Sequence, residues 1–298
     1  MVRSGLNTDL ALTLTVVIPT MDRPDYLRSA VASALFDLPD DGRVIVVDDR
    51  GSIPAITSLA ATNDDRLKIF VNQAPKGPSG ARNFGVKLAQ TNLVTFLDDD
   101  DLIQPGYLNW IIEMAKNARY GFCSTQNFGA NGPKISNFAS QGVVPVNSLP
   151  FKQKLAGLGC GFWIYRSDFN ALKGLDTSLE VNEDTDFSIK LLAKGLKGAK
   201  EFGVGVMIRQ HSPTSGAQNV GHVTRRTNAS VRADNFAHIL QTNASYFTDN
   251  PDEANYIRKR MIKMHAKAGS WSEGIKGGKG RVTLLAYFLF NWLIYQVI

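Results

Sequence analysis

The first 120 residues alternate between short apolar runs and longer segments whose apolar positions recur at helical spacing. The apolar, β-branched runs predict strands at 12–19, 43–48, 66–72 and 93–97. The segments between and after them predict helices at 24–36, 54–62, 79–90 and 104–118. Strands and helices that alternate over short connections are typical of a parallel α/β sheet covered by helices on both faces. Ligands of such sheets bind at the carboxyl ends of the strands.

The pattern is less regular beyond residue 120. Residues 121–150 are rich in Gly, Asn, Ser and Pro, which predicts loops or short hairpins. Strands are then predicted at 161–166 and 203–211, with a helix at 182–195 between them. Two further helices, at 232–247 and 251–268, predict a C-terminal helical extension of the α/β domain.

Composition and length fit a globular protein of one large domain or two small ones. The chain has 298 residues, of which 44% are hydrophobic and 20% are charged. Cys123 and Cys160 are the only cysteines, so the sequence contains neither a disulfide framework nor a metal motif of cysteines. The first ten residues lack the apolar core of a signal peptide, and we therefore expect a reducing, cytoplasmic location.

The net charge of +6 is unevenly distributed. Residues 1–200 contain 21 basic and 21 acidic residues, whereas residues 201–298 contain 12 basic and 6 acidic ones. A basic segment can bind a nucleic acid, a membrane surface or an anionic substrate. Composition alone does not choose among these partners.

Four consecutive aspartates, Asp98 to Asp101, directly follow the strand predicted at 93–97. Adjacent like charges repel one another, so a positive group is expected to offset them. Carboxylates are suitable ligands for Mg²⁺, Mn²⁺ or Ca²⁺, and Asp98 and Asp100 could reach one ion from a turn. The alternative is an exposed acidic turn in which Asp101 caps the next helix. The pattern of an EF-hand is absent.

Further candidate residues lie at the ends of other predicted elements. Asp48 and Asp49 end a strand and could accept hydrogen bonds from a base or a ribose, or could simply form a turn. Glu183 and Asp184 begin a helix, where acids can interact with the helix dipole or act as a general base. His211 follows a strand in a polar segment and could be a structural residue or a metal ligand. The sequence contains no Walker-type phosphate loop and no dinucleotide-binding glycine motif.

Four blocks of sequence occur in an order that resembles the glycosyltransferase family 2 enzymes, which have the GT-A fold. The blocks are TVVIPTMDRPDYLRSAVASAL, VIVVDDRGS, GPSGARNFGVKLAQTNLVTFLDDDD and GLDTSLEVNEDTDFSIKLLAKG. The resemblance covers about residues 12–215. It implies a Rossmann-like, mostly parallel sheet in a catalytic domain at 1–215, with a nucleotide-sugar-binding half at about 12–120 and an acceptor-binding half at 121–215. Residues 216–298 would form the helical C-terminal extension.

The resemblance also implies a donor and a metal cofactor. In this family an aspartate motif at the end of a central strand holds Mn²⁺ or Mg²⁺ against the diphosphate of a nucleotide sugar, with uridine as the usual nucleoside. Asp100 matches the direct metal ligand, and Asp98 and Asp99 would contact the ribose or reach the metal through water. His211 matches a histidine near the metal or the diphosphate. The run here exceeds the family's usual three aspartates, which leaves the register open by one residue.

Other residues are matched to roles in nucleotide binding and catalysis. Asp49 matches the residue that contacts the nucleobase, and Pro19 and Thr20 end the strand against which the base would pack. Arg82 lies where a basic or polar residue faces the nucleotide. Asp184 matches the general base, which would take a proton from an acceptor hydroxyl and allow a single inverting displacement. Asp186 is the second candidate for the base.

The resemblance further implies the acceptor and leaves two other functions to weigh. The expected acceptor is a glycan or a lipid-linked glycan of a bacterial surface polysaccharide, and no nucleic acid is expected as a partner. A sugar nucleotidyltransferase would have a glycine-rich loop after the first strand, where this chain has PTMDRPDYL instead. A non-catalytic sugar-binding protein would not need Asp184.

The C-terminal segment suggests contact with a membrane. Residues 282–298 form a run of 17 residues without a charge, which is shorter than the ~20 apolar residues of a spanning helix. Residues 254–281 contain eight basic residues and one acid. We expect a helix that lies in the membrane surface and holds the protein peripherally at the inner face of the cell membrane, on anionic lipid. The alternative is a helix docked on the domain or at a dimer interface.

Overall fold

The structure is a computed structural model that describes residues 12–129, 142–211, 227–278 and 282–297. Within these residues, nine strands form one mixed sheet in the order β3-β2-β1-β4-β8-β6-β9-β5, and β7 pairs with β9. The strands are β1 (Leu14–Thr20), β2 (Arg43–Asp48), β3 (Leu67–Val71), β4 (Leu93–Leu97), β5 (Leu102–Ile103), β6 (Tyr120–Gly129), β7 (Val143–Pro145), β8 (Cys160–Tyr165) and β9 (Gly198–Gln210).

The four N-terminal strands of the sheet, β3-β2-β1-β4, are parallel, as the sequence predicts. Side chains of β1 alternate between two hydrophobic clusters, with Val16 and Ile18 in one and Val17 in the other. The neighbouring β2 does the same with Val46 and Val47. Both faces of these strands are therefore buried, which explains why they appear in the sequence as continuous apolar runs.

The second half of the sheet is mixed. β8 is antiparallel to β4 and to β6, whereas β6 runs parallel to β9. The prediction of loops for 121–150 is wrong for 121–129, which belong to the ten-residue strand β6. From Ser124 to Asn127 its residues are polar and alternate between partly buried and exposed positions. This part of the strand therefore lacks the apolar run from which a strand is predicted. Residues 130–141 of that segment lie outside the described residues.

Helices cover both faces of the sheet. The helices up to β9 are α1 (Pro24–Asp37), α2 (Ala55–Ser58), α3 (Pro78–Leu88), α4 (Tyr107–Ala115), α5 (Phe151–Lys154), α6 (Arg166–Ala171) and α7 (Glu183–Ala193). Apolar residues of α1 and α4 pack on one face, and those of α3 and α7 pack on the other. At Gly85 of α3, a Cβ atom would lie 2.4 Å from Cγ1 of Val17, so glycine lets this helix approach the sheet closely.

The C-terminal helices form a third hydrophobic cluster beside the sheet. They are α8 (Ala229–Thr242), α9 (Ala244–Asp249), α10 (Pro251–Lys267), α11 (Trp271–Gly278) and α12 (Val282–Val297). The single helix predicted at 232–247 is two helices, because the chain leaves helical geometry at Asn243. Leu179 and Ile189, the latter in α7, belong to the same cluster, so these helices pack directly on the α/β domain.

The last helix has one face docked on the protein and one exposed apolar face. Leu284 and Phe288 of α12 are buried against the preceding helices, as a docked helix would be. The other face remains exposed and contains Leu289, Phe290, Leu293 and Ile294. In the described parts of the chain, no helix has both the length and the apolar character needed to cross a bilayer.

Candidate active site

A cleft of about 550 Å³ opens at the carboxyl ends of the parallel strands. It is formed by the ends of β1, β2 and β4, by the starts of α3 and α7, and by α5, α8 and α10. Of the residues predicted for the site, the cleft is lined by Pro19, Thr20, Asp49, Arg82, Asp98, Asp99, Asp100 and Asp184. The fold thus gathers residues that are up to 165 positions apart in sequence around one space.

The aspartates at the end of β4 have separate partners. Asp98 Oδ1 accepts a hydrogen bond of 2.6 Å from Arg82 Nη2. Asp99 accepts from Thr20 Oγ1 at 2.7 Å and from Arg23 Nη1 at 2.9 Å. Burial raises the pKa of Asp99 to about 6, although the nearby Arg23 cation opposes this shift. The positive charges that the sequence requires are thus supplied in part by two arginines.

Asp100 and His211 come together at the far end of β9. Their side-chain atoms Oδ2 and Nε2 are 2.7 Å apart, and Arg23 Nη1 donates to the same carboxylate oxygen at 2.9 Å. The ring of Tyr26 meets the imidazole edge-on, with 5.2 Å between the ring centroids. Helix α1 therefore helps to position a histidine that comes almost 190 residues later.

Asp101 has a structural role. It does not line the cleft, and its Oδ1 accepts a hydrogen bond of 2.8 Å from the backbone N–H of Arg209 in β9. Burial and the neighbouring Asp98 and Asp100 raise its pKa to about 8. The fourth aspartate of the run thus joins β4 to β9, which is a contact that the sequence did not predict.

The carboxylates and the histidine at the ends of β4 and β9 are candidate ligands for a divalent cation. Among the described residues there is no group of three or more His, Cys, Asp or Glu side chains arranged around a common point. Asp100 and His211 do form a carboxylate–imidazole pair. Asp98, two positions before Asp100, accepts a hydrogen bond from Arg82. One or two protein ligands supplemented by substrate phosphates is the usual arrangement for a nucleotide-bound Mg²⁺. These residues therefore fit a cation that takes most of its ligands from the phosphates of a bound nucleotide.

Asp49 is held firmly at the end of β2. Its Oδ1 accepts from Asn72 Nδ2 at 2.6 Å, and its Oδ2 accepts from the backbone N–H of Gly77 at 2.8 Å. Gly77 precedes α3 with φ of 120°, a backbone conformation that favours glycine. The neighbouring Asp48 instead bonds the backbone N–H groups of Gly51 and Ala55 and does not line the cleft. Of the two aspartates, only Asp49 can meet a ligand there.

Arg82 connects the two acidic motifs of the site. The residue is only 5% exposed, and its Nη1 donates to Glu183 Oε1 at 3.1 Å while its Nη2 donates to Asp98. This buried bridge fixes the start of α7 relative to the end of β4. Glu183, which was a candidate base together with Asp184, therefore forms an ion pair with Arg82.

Asp184 faces the cleft from the first turn of α7. Asn182 enters the helix in a left-handed conformation with φ of 69°, and Asp184 Oδ1 accepts from the backbone N–H of Thr185 at 2.6 Å. Burial raises the pKa of Asp184, and the nearby cations Arg260 and Arg82 oppose this shift. A carboxylate with a raised pKa in a cleft has the properties of a general base.

Asp186, the second candidate for the base, points away from the cleft. Its Oδ1 accepts from Asn243 Nδ2 at 2.8 Å, and its Oδ2 forms an ion pair with Lys190 Nζ at 2.7 Å. Two positions along a helix correspond to about 200° of rotation, so Asp184 and Asp186 lie on opposite faces. Asp186 thus joins α7 to the C-terminal helices.

Comparison with known proteins identifies the family. The sequence profile of "Glycosyl transferase family 2" matches residues 15–172, which is more than half of the chain.

The chain belongs to glycosyl transferase family 2.

Characterised relatives are bacterial glycosyltransferases. The chain is 29% identical over 212 residues to the GalNAc(5)-diNAcBac-PP-undecaprenol β-1,3-glucosyltransferase of Campylobacter jejuni, and the match covers 68% of each chain. It is 24% identical over 148 residues to the UDP-Glc:α-D-GlcNAc-diphosphoundecaprenol β-1,3-glucosyltransferase WfgD of Escherichia coli, which covers 49% of this chain and 57% of WfgD. The succinoglycan biosynthesis protein ExoW of Rhizobium meliloti is 40% identical over 100 residues, or 31% of its own length. This protein is accordingly a transferase enzyme.

Solved structures share the fold of this glycosyltransferase. The crystal structure of residues 1–349 of Staphylococcus aureus TarS aligns with a TM-score of 0.64 at 15% identity, over 96% of this chain and 90% of that one. The complex of the same protein with UDP-GlcNAc aligns with a TM-score of 0.59 at 16% identity, over 95% of this chain and 80% of that one. The mostly parallel GT-A sheet expected from the sequence is thus confirmed.

Several residues of the glycosyltransferase cleft were missed by the sequence analysis. Arg23 lies in the first of the four family blocks but was assigned no role there, because its contacts depend on the approach of the start of α1 to the aspartates. Lys152, Arg232, Tyr256 and Arg260 also line the cleft and come from α5, α8 and α10. The excess of basic residues in the last third of the chain was the available signal for the two later arginines, and an anionic substrate was one of the three partners that it left open.

Proposed function

We propose that this enzyme transfers a sugar from a uridine diphosphate sugar to a hydroxyl group of a lipid-linked glycan, with inversion at the anomeric carbon and with a divalent cation as cofactor. The observation that carries the proposal is the placement of Asp184 in the same cleft as Asp98, Asp99 and Asp100. A base on one side and a diphosphate-binding motif on the other is the arrangement that an in-line displacement requires.

The donor would lie along the ends of β1, β2 and β4. Asp49 is the candidate contact for the nucleobase, beside Pro19 and Thr20, and Arg82 would help to order the wall of the site. Asp98 and Asp99 would contact the ribose. The relative named UDP-Glc:α-D-GlcNAc-diphosphoundecaprenol β-1,3-glucosyltransferase and the TarS complex with UDP-GlcNAc support uridine as the nucleoside.

Asp100 and His211, with Asp98 close by, would hold Mn²⁺ or Mg²⁺. The bound cation supplies Lewis-acid neutralisation of the leaving diphosphate. Arg23 bridges Asp99 and Asp100 and so offsets part of the charge of these carboxylates.

Asp184 would act as the general base. It would accept the proton of the acceptor hydroxyl, whose oxygen forms the new bond to the anomeric carbon as the bond to the diphosphate breaks. One displacement inverts the configuration at that carbon, and no covalent sugar–enzyme intermediate is needed. The raised pKa of Asp184 brings the base closer to the operating pH and so improves proton transfer.

The acceptor and the location follow from the relatives and from the surface of α12. Two of the relatives carry undecaprenol-linked acceptors in their names, which supports a lipid-linked glycan presented at a membrane. The exposed apolar face of α12 would lie in the membrane surface, near the basic residues of α10 and α11.

We divide the chain into a catalytic domain at 1–215, with its donor half at 12–120, and a C-terminal extension at 216–298. Residues of this extension also line the cleft.

The test of this proposal is a panel of nucleotide sugars incubated with the full chain, Mn²⁺ and undecaprenyl diphosphate-linked glycans. Release of nucleoside diphosphate identifies the donor, and the anomeric proton coupling of the product reports its configuration. We expect uridine diphosphate to be released, and the product to have the anomeric configuration opposite to that of the donor. Retained configuration, or consumption of pyrophosphate with a nucleotide sugar, would contradict the proposal.

A further inference from the structure

The acceptor side of the cleft contains a group of cations that the proposed mechanism does not use. Lys152 comes from α5, Arg232 from α8 and Arg260 from α10, and all three line the cleft together with Asp184. We call these residues the basic triad. They are brought together by the packing of α8 and α10 on the α/β domain, and they are 80 and 28 positions apart in sequence.

The basic triad differs from the other cations of the cleft in its partners. Arg23 forms ion pairs with Asp99 and Asp100, and Arg82 forms ion pairs with Asp98 and Glu183. Among the described residues, none of the carboxylates lies within ion-pairing distance of the triad, although Asp184 and Glu180 line the same region. Three positive charges around one concave space repel one another, and an anion bound there would offset this cost.

Arg260 of the triad is held in place by aromatic contacts. Arg260 Cζ lies 4.9 Å from the ring centroid of Phe236 and 6.0 Å from that of Tyr256. Phe236 is one helical turn from Arg232 in α8, and Tyr256 is one turn from Arg260 in α10, so each helix presents an arginine and an aromatic ring on one face. Arg232 is partly buried, and its Nε is shielded from solvent without a hydrogen-bond partner among the described residues. Such preorganisation reduces the entropy lost when a ligand binds.

The position of the triad favours the acceptor over the donor. In an in-line displacement the acceptor oxygen and the leaving diphosphate lie on opposite sides of the anomeric carbon, and the donor diphosphate belongs beside Asp98 to Asp100. Arg260 and Asp184 line the same cleft. Burial raises the pKa of Asp184 and the Arg260 cation opposes this shift, so the two side chains lie close enough to interact. Groups that surround the base on this side therefore face the acceptor.

We propose that Lys152, Arg232 and Arg260 form a subsite that binds the diphosphate group of a lipid-linked acceptor. This inference rests on the proposed function, since it assigns the acceptor of the same cleft. Two guanidinium groups can each donate paired hydrogen bonds to phosphate oxygens, and a lysine adds a mobile point charge. A diphosphate carries enough negative charge to match three cations, whereas the carboxylate of an acidic sugar would match only one. The subsite would place the sugar that follows the diphosphate next to Asp184.

The experiment uses geranyl diphosphate as a short, soluble lipid diphosphate and titrates it into full-length protein already saturated with UDP and Mn²⁺. Inorganic pyrophosphate and geraniol are titrated in parallel to separate the headgroup from the lipid. We expect geranyl diphosphate and pyrophosphate to bind and geraniol to bind at least tenfold more weakly. Arg232→Gln and Arg260→Gln should each weaken binding of geranyl diphosphate about tenfold or more, and Lys152→Gln by a smaller factor because its side chain is exposed.

Matched controls separate this subsite from general electrostatics and from the donor site. Lys259→Gln removes a positive charge from an exposed position of α10 beside Arg260 and should leave binding unchanged. The affinity for UDP should stay within about twofold of the parent in all triad variants. Equal weakening by Lys259→Gln, or a loss of UDP affinity as large as the loss of geranyl diphosphate affinity, would overturn the proposal. Failure of the parent to bind UDP would instead contradict the proposed function, since pyrophosphate binding by the triad can be measured without UDP.

Discussion

A Cβ atom at Gly159 would lie 2.2 Å from both carboxylate oxygens of Asp98. The turn before β8 therefore packs directly on the aspartate run, and the backbone N–H of Asp98 donates to Gly159 O at 3.2 Å. No side chain fits between them. A glycine that carries no catalytic group thus determines where Asp98 and its partner Arg82 lie.

Gly159→Ala should accordingly damage the site without a loss of any polar group. The added methyl group would push the Asp98 carboxylate away from Arg82, and displacements of about 1 Å can cost up to about 10²-fold in rate. We expect transfer to fall by at least tenfold while the melting temperature changes little. Gly157→Ala is the matched control, because the nearest atom to its Cβ would be Cys160 Sγ at an ordinary 3.5 Å. If both variants retain parental rates, Asp98 is not held by this contact.

Asp100→Ala should remove the dependence of UDP binding on a divalent cation. Asp100 is the carboxylate that lies 2.7 Å from His211, and a lost hard oxygen ligand weakens a site that has few protein ligands. Calorimetry with UDP in the presence and absence of Mn²⁺ measures the effect. Asp101→Asn serves as the control, since its side-chain oxygen can still accept from the N–H of Arg209. A metal-dependent affinity that survives in Asp100→Ala would place the cation elsewhere.

Asp184→Asn should keep donor binding and lose transfer. Asparagine has nearly the same shape but cannot accept a proton, and removal of a general base costs about 10²–10⁴-fold in rate. The affinity for UDP and the melting temperature should stay close to those of the parent. Turnover within a few-fold of the parent would show that another group takes the proton.

The pH dependence of the parent should report the same residue. Burial raises the pKa of Asp184, and the group is active only when it is deprotonated. The value of kcat/KM for the acceptor should therefore fall as the pH decreases through this pKa, by about tenfold per pH unit well below it. The fall should begin at a higher pH than an exposed aspartate would give. If the residual activity of Asp184→Asn shows the same fall of kcat/KM at low pH, the fall is caused by the protonation of a different group.

Asp186→Asn should show the opposite pattern, with lower stability and nearly unchanged chemistry. The substitution would place an amide N–H₂ group against Lys190 or Asn243, where a buried carboxylate oxygen now accepts. An unsatisfied buried donor costs about 1–3 kcal/mol of unfolding free energy. Denaturant unfolding should detect this loss, while kcat at a temperature well below unfolding should stay within a few-fold of the parent. A large loss of kcat in the folded variant would reopen Asp186 as a candidate base.

The parallel half of the sheet could be predicted from sequence because its strands are buried on both faces. Val16, Val17, Val46 and Val47 belong to short β-branched apolar runs, which are typical of strands buried on both faces. The strand β6 could not be predicted, because Ser124 to Asn127 alternate between partly buried and exposed positions and resemble a loop in composition. Its place in the sheet depends on its pairing with β9, which begins 78 positions after β6 begins.

The aspartates and Asp184 of the candidate site could be predicted because each lies next to a recognisable local element. Arg232 and Arg260 could not be predicted in the same way, since nothing adjacent to them in sequence distinguishes them from solvent-exposed arginines. Their roles arise from contacts between distant elements, such as the 4.9 Å approach of Arg260 to Phe236 across two helices. Local patterns thus identified the aspartates and Asp184 of the cleft and missed the cations that line it with them.

The last helix offers a test that separates docking on the protein from binding to a membrane. Phe290 and Leu293 are 64% and 54% exposed, whereas Phe288 of the same helix is fully buried against its neighbours. Removal of the whole helix would expose the buried face and confuse the two roles. Point substitutions on each face are therefore the sharper experiment.

The double variant Phe290→Gln, Leu293→Gln should reduce sedimentation of the protein with anionic liposomes, because it removes apolar area that would be buried in the membrane surface. Its melting temperature and its affinity for UDP should match the parent, since neither side chain belongs to the buried face. Phe288→Ala should instead lower the stability by about 3–5 kcal/mol, the usual cost of such a truncation in a core. High salt should weaken liposome binding by the parent only in part, because screening acts on the basic residues of α10 and α11 and not on apolar burial. If the parent stays in the supernatant with anionic liposomes at low salt, α12 is a docked helix whose exposed face does not bind lipid.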